Sequence, residues 1–196
     1  MLRKIRIILA TVFFAGITLL FLDFTGTIHC LTGWMAKIQF LPAVLAMNFV
    51  VVAMLVLLTL VFGRIYCSVI CPLGVMQDVF AWFGKKTKKN RYSYSPAKSW
   101  LRYVVLALFV ASLVLGGGVL AKLIAPYSAY GRIAGTLLAP VWQWGNNVLA
   151  YFAERADSYA FYETEVWMKG GMTLSVAVAT LLLLLVLSWC GGRTYC

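Results

Sequence analysis

VVAMLVLLTLVFGRIYCSVICPLG, residues 51–74, decides how this chain folds, because an uncharged apolar run passes at Gly63 directly into a Cys-x3-Cys-Pro motif. The apolar run is part of a stretch without charge from Ile38 to Gly63, and three others extend over Ile7 to Leu22, Tyr103 to Ala121 and Gly170 to Gly192. A bilayer-spanning helix needs about 20 residues. With 63% hydrophobic and 12% charged residues, the composition excludes an ordinary soluble domain. The expected fold is an all-α integral membrane protein with four transmembrane helices arranged as two pairs, at about 5–23, 40–62, 102–123 and 171–190. Arg6 can snorkel at one end of the first span and Asp23 can sit at the opposite interface.

Charge sets the expected orientation. Arg3, Lys4 and Arg6 precede the first span, and Lys85, Lys86, Lys88, Lys89, Arg91, Lys98 and Arg102 lie between the second and third, whereas five of the six acids lie on the other side. The positive-inside rule then places both termini in the cytoplasm, with an inner loop at 63–100 and an outer loop at 124–170. The net charge of +11 follows from this topology, so the basic loop suits anionic lipid or a redox partner and gives no reason to expect nucleic acid. No convincing small-x-small cleavage site follows the first span, which reads as uncleaved.

Within the inner loop a short helix is expected at Val75 to Phe83. In the outer loop, Ile133, Leu137, Val141, Trp144, Val148 and Phe152 recur every three or four residues, which predicts amphipathic helices in the outer interface, broken near Pro140. Tyr127, Tyr130, Trp142, Trp144 and Trp167 supply an aromatic belt; a quinone pocket can be built from such side chains, but interfacial anchoring is the commoner reason for them.

The chemistry lies in the cysteines. Cys67 and Cys71 are four residues apart and share a helical face, while Pro72 and Gly74 mark a turn at which backbone amides become available. Bacterial ferredoxin runs finish in Cys-x3-Cys-Pro, so the motif matches the tail of such a run and lacks its first two cysteines. The closing GGRTYC repeats the Gly-Arg-x-Tyr-Cys of 63–67, making Cys196 the counterpart of Cys67, and the chain reads as cut inside a second copy of its motif. Cys190 and Cys196 could then complete four thiols with Cys67 and Cys71 at the cytoplasmic rim. A buried pair, a palmitoylation site or a thiol redox pair would also fit the bare spacing, and zinc suits four thiolates; the Cys-Pro ending favours iron and sulfur. A stable disulfide is disfavoured on the cytoplasmic side. Arg64 and Arg193, three residues before motif cysteines, either offset cluster charge or anchor helix ends.

GRIYCSVICPLGVMQD and GGRTYC resemble the duplicated motifs of the membrane-bound 4Fe-4S family, which includes the membrane ferredoxins accompanying periplasmic nitrate reductase and the flavin-bearing regulators of nitrous-oxide respiration. The resemblance implies electron transfer between a quinone pool or cytoplasmic donor and a redox protein partner, in a bacterial-type cytoplasmic membrane, with Cys67, Cys71 and Cys196 as cluster ligands. Family members often continue into soluble ferredoxin repeats, and such a C-terminal region is expected beyond this sequence.

Elsewhere, His29 reads as a loop residue, Cys30 as a packing thiol and Asp23 as reaching the headgroups. No phosphate loop, carboxylate pair or nucleophile-base arrangement is present, so no catalytic residues are expected and an electron carrier or oxidoreductase subunit is favoured over a complete enzyme. The alternative from a different class is a membrane scaffold or assembly protein whose thiols hold zinc without carrying electrons.

Overall fold

The computed structural model describes residues 2–23, 26–63, 65–87, 99–115, 122–155, 162–166 and 168–191. Among these the regular structure is helical, with no strand. The elements in chain order are α1 (Leu2–Leu22), α2 (Thr27–Lys37), α3 (Phe40–Leu45), α4 (Phe49–Phe62), a π-helical turn (Tyr66–Ile70), α5 (Pro72–Thr87), α6 (Ser99–Val114), α7 (Pro126–Ile133), a second π-helical turn (Ala134–Leu138), α8 (Ala139–Arg155) and α9 (Gly171–Gly191).

Among the described residues, two helices have the length and composition to cross a membrane: α1 over Lys4–Leu22, and α9. At 1.5 Å per residue they reach about 30 Å, the thickness of a bilayer's hydrocarbon core. Both carry hydroxyls whose polarity is absorbed by the helix itself. Thr11 donates to the carbonyl of Ile7 at 2.9 Å and Thr18 to that of Phe14 at 2.6 Å; Ser175 and Thr180 do the same in α9.

The segment expected as the second span differs from an uninterrupted crossing helix. Residues 40–62 are divided by a turn at which Met47 takes φ 53° and the Asn48 side chain accepts from the amide of Val51, capping α4. This leaves α4 with 14 residues, about 21 Å; within the expected third span α6 is described over Ser99–Val114, and residues 116–121 lie outside the described residues. The outward surface of α4 is nevertheless apolar, with Leu57, Leu60, Val61 and Phe62 all exposed.

The core gathers Ile17 of α1, Met35 of α2, Cys71, Leu73 and Met76 at the start of α5, Ala129, Tyr130, Ile133 and Ala134 around α7, and Leu184 of α9. Small residues set how closely the helices approach: a side chain at Gly16 would press on the Met35 sulfur, and one at Gly131 on the Phe21 ring. Phe14, Phe21, Tyr127 and Tyr130 pack as an aromatic cluster, with centroids 5.5 Å apart for Phe14–Tyr130 and for Phe21–Tyr127.

The packing separates the two ends of the periodic stripe from Ile133 onward. Its beginning is buried against α1, α5 and α9, with Tyr130 fixed by a 2.5 Å hydrogen bond to Thr18, while Trp144 and Phe152 of α8 face outward. A 3.6-residue stripe has the same pattern whether it meets lipid or protein, and the small residues Ala129 and Ala134 make the protein contact possible. The break expected near Pro140 falls at the end of the π turn Ala134–Leu138, directly before α8, of which Pro140 is the second residue. Trp167 lies outside the described residues.

Candidate metal centre

Gly63, Cys71, Pro72 and Gly74 of the first motif each have a backbone task. Gly63 ends α4 at φ 66°, ψ −115°, a conformation that a residue with a β-carbon rarely adopts. The chain then enters the π turn, closed by the Cys71 amide donating to the Tyr66 carbonyl at 2.9 Å. Such turns insert an extra residue into a helical path and recur at functional sites. Cys71 is extended at φ −80°, ψ 116°, as the residue before a proline prefers, and Pro72 opens α5, where its missing N–H costs nothing. The helix expected over Val75–Phe83 is thus present and longer at both ends.

Gly74 brings the start of α5 onto Cys67: a β-carbon at 74 would overlap the Cys67 carbonyl oxygen. The two cysteines are thereby held around a single turn, Cys67 half-buried and Cys71 only 1% exposed. A thiolate so buried needs donors around it. By helix geometry the amides of Leu73 and Gly74 have no acceptor within α5, since the first amide with one is that of Val75, which donates to the Cys71 carbonyl at 3.2 Å.

A clamp outside the motif fixes this turn. Gln39, fully buried between α2 and α3, donates through Nε2 to the Ile70 carbonyl at 3.0 Å and accepts through Oε1 from the Tyr66 hydroxyl at 3.2 Å. The same Tyr66 oxygen accepts from the Phe40 amide at 3.1 Å. Both ends of the π turn are therefore tied to one side chain. Sequence reasoning misses Gln39, whose one signal is a polar residue near the head of the uncharged stretch Ile38–Gly63.

Residues 71–77 form an unbroken buried run, after which α5 emerges, with Val79, Trp82 and Phe83 exposed and Lys86 Nζ lying 5.6 Å from the centre of the Trp82 ring. Within the buried run, both carboxamide atoms of Gln77 lack a hydrogen-bond partner, as does Thr136 Oγ1 in the second π turn. An unsatisfied buried polar group costs about 1–3 kcal/mol, so Gln77 calls for a partner beyond the protein atoms.

Cys190 is exposed near the end of α9, Cys30 and His29 are exposed on α2, and Cys196 lies outside the described residues, as do Arg64 and Arg193. Among the described residues, no group of three or more His, Cys, Asp or Glu side chains is gathered. Cys67 and Cys71 fit half of a four-thiolate set. Asp23 has a defined role: its carboxylate accepts from the Gly26 amide at 3.0 Å and from the His29 amide at 2.8 Å, holding the start of α2. A cavity of about 280 Å³ adjoins the π turn, lined by Phe40, Leu41, Thr59, Tyr66, Phe109 and Tyr127 among others.

Residues 44–90, covering α4, the cysteine turn and α5, match the 4Fe-4S binding domain family. The resemblance to membrane ferredoxin-like 4Fe-4S proteins therefore holds, carried by that segment. The chain is also 32% identical over 92 residues to the ferredoxin-type protein NapH of Escherichia coli (strain K12), an alignment covering 47% of this chain and 31% of that protein. It thus spans about a third of the length of that curated relative. No solved structure matches the chain.

Proposed function

We propose that this chain is a membrane-bound iron-sulfur electron-transfer protein in which Cys67 and Cys71 ligate a 4Fe-4S cluster together with thiols from the end of the chain, Cys196 and Cys190. The observation that carries this reading is the Cys67–Cys71 turn, in which two thiols, a proline-started helix and a glycine-enabled close approach are fixed by the Gln39 clamp. It is reinforced by the match of the same segment to a 4Fe-4S binding domain and by the ferredoxin-type name of the relative. When bound, the cluster supplies one-electron transfer. The protein's share is to hold thiolates in a dry turn, offset their charge with the first amides of α5, and keep water from Cys71.

We place the chain in a bacterial-type cytoplasmic membrane, with α1 and α9 as crossing helices. The apolar surfaces of α1, α4 and α9 support contact with lipid, whereas residues 40–62 start and finish beside one another, joined by the Phe40–Tyr66 and Gln39–Ile70 hydrogen bonds, and so enter and return rather than cross, against the expected second span. The expected partners are a redox protein and a quinone; the apolar cavity beside Tyr66 is the place we assign to the quinone, one residue from Cys67.

The test is a metal and sulfide assay on anaerobically purified protein. About four irons and four acid-labile sulfides per cluster support the reading. Zinc without sulfide would favour the alternative of a thiol-holding scaffold or assembly protein.

A further inference from the structure

Gln77 is the strongest unexplained feature of the site. It is 0% exposed, and neither Nε2 nor Oε1 has a hydrogen-bond partner. It sits three residues after Gly74 and four after Leu73, on the face of α5 that bears on the cysteine turn. Helical side chains lean toward the N-terminus of their helix, so the Gln77 carboxamide overlies the first turn of α5, where Gly74 meets Cys67.

We propose that Gln77 is a positioning residue for the metal centre, its Nε2–H donating a hydrogen bond to a thiolate or sulfide sulfur held at the Cys67–Cys71 turn. This rests on the iron-sulfur reading above. A donor aimed at sulfur stabilises the reduced cluster, which carries one more negative charge than the oxidised one, and so raises the reduction potential. The orphaned carboxamide is then the half of a hydrogen bond that the protein supplies, and a glutamine brings it without introducing a charge.

The experiment compares wild type with Gln77→Met, which keeps the side-chain length and removes the donor, and with Gln77→Asn, which keeps the amide but withdraws it by one methylene. Midpoint potentials are read by EPR-monitored redox titration at matched iron occupancy, and thermal unfolding in detergent is read on iron-free samples. The expected result is a lower midpoint for Gln77→Met, an intermediate one for Gln77→Asn, and iron-free melting of Gln77→Met equal to or above wild type. Iron loss from Gln77→Met with undiminished iron-free melting also supports the proposal, because the lost contact is then with the bound group. An unchanged midpoint at full occupancy, or a drop in iron-free melting, overturns it by showing a role within the protein fabric. If wild type holds no iron, the function proposed above fails with it; iron in wild type beside an unshifted midpoint removes the Gln77 inference alone.

Discussion

The α-carbon of Gly74 lies so close to the carbonyl oxygen of Cys67 that a β-carbon there would overlap it. This approach joins the end of one helical path to the start of another, and it holds the first thiol of the motif near the second. Gly74→Ala must therefore move backbone rather than a flexible side chain. The expected cost is about 1–3 kcal/mol, with iron per chain falling in parallel. Gly145→Ala is the control: its β-carbon meets nothing within 4 Å in the interior of α8, and alanine there is expected to stabilise by about 0.5–1 kcal/mol. Thermal unfolding in detergent with an iron assay on the same samples checks both.

Gln39→Leu removes the side chain that bonds to both Ile70 and Tyr66. The Ile70 carbonyl and the Tyr66 hydroxyl each lose a partner, so destabilisation of about 1–3 kcal/mol is expected, together with faster loss of iron to a chelator. Chelation kinetics matching wild type would show that the clamp does not govern the cysteine turn.

Tyr130→Phe tests the burial of α7 in the core. The Thr18–Tyr130 hydrogen bond joins residues 112 positions apart, and its loss should cost about 0.5–1.5 kcal/mol while membrane insertion is unaffected. Were α7 an interfacial helix with its phenol in water, the substitution would be close to neutral.

How much of this was legible in the letters depends on the distance over which each feature acts. The apolar stretches gave α1 and α9 because a run without charges is itself the signal, and Gly63, Cys67, Cys71, Pro72 and Gly74 carry local backbone rules that can be read in order. The division of residues 40–62 was less visible, since Asn48 is a modest interruption until its side chain is seen capping α4. The π turn was hidden because its hydrogen bond, from Cys71 to Tyr66, differs by one residue from the α pattern and leaves no mark on composition. The Gln39 clamp spans 27 and 31 residues, beyond any local pattern. Gln77 carries no local signal of its own; its significance comes from burial without a partner.

Cys67→Ser and Cys71→Ser are each expected to abolish iron binding while leaving the protein in the membrane fraction, because serine preserves the size of the side chain and removes the soft ligand. Cys30→Ser, at an exposed position on α2, is expected to retain full iron. Full iron in both motif variants would remove Cys67 and Cys71 from the ligand set.

The central claim, that the cysteine turn serves a cluster that carries electrons, is tested most directly by low-temperature EPR of anaerobically purified protein before and after dithionite. A signal with g values near two on reduction, accompanied by about four irons per cluster and absent from Cys71→Ser, is the predicted result. Protein that contains no iron and remains silent in both states would contradict the account.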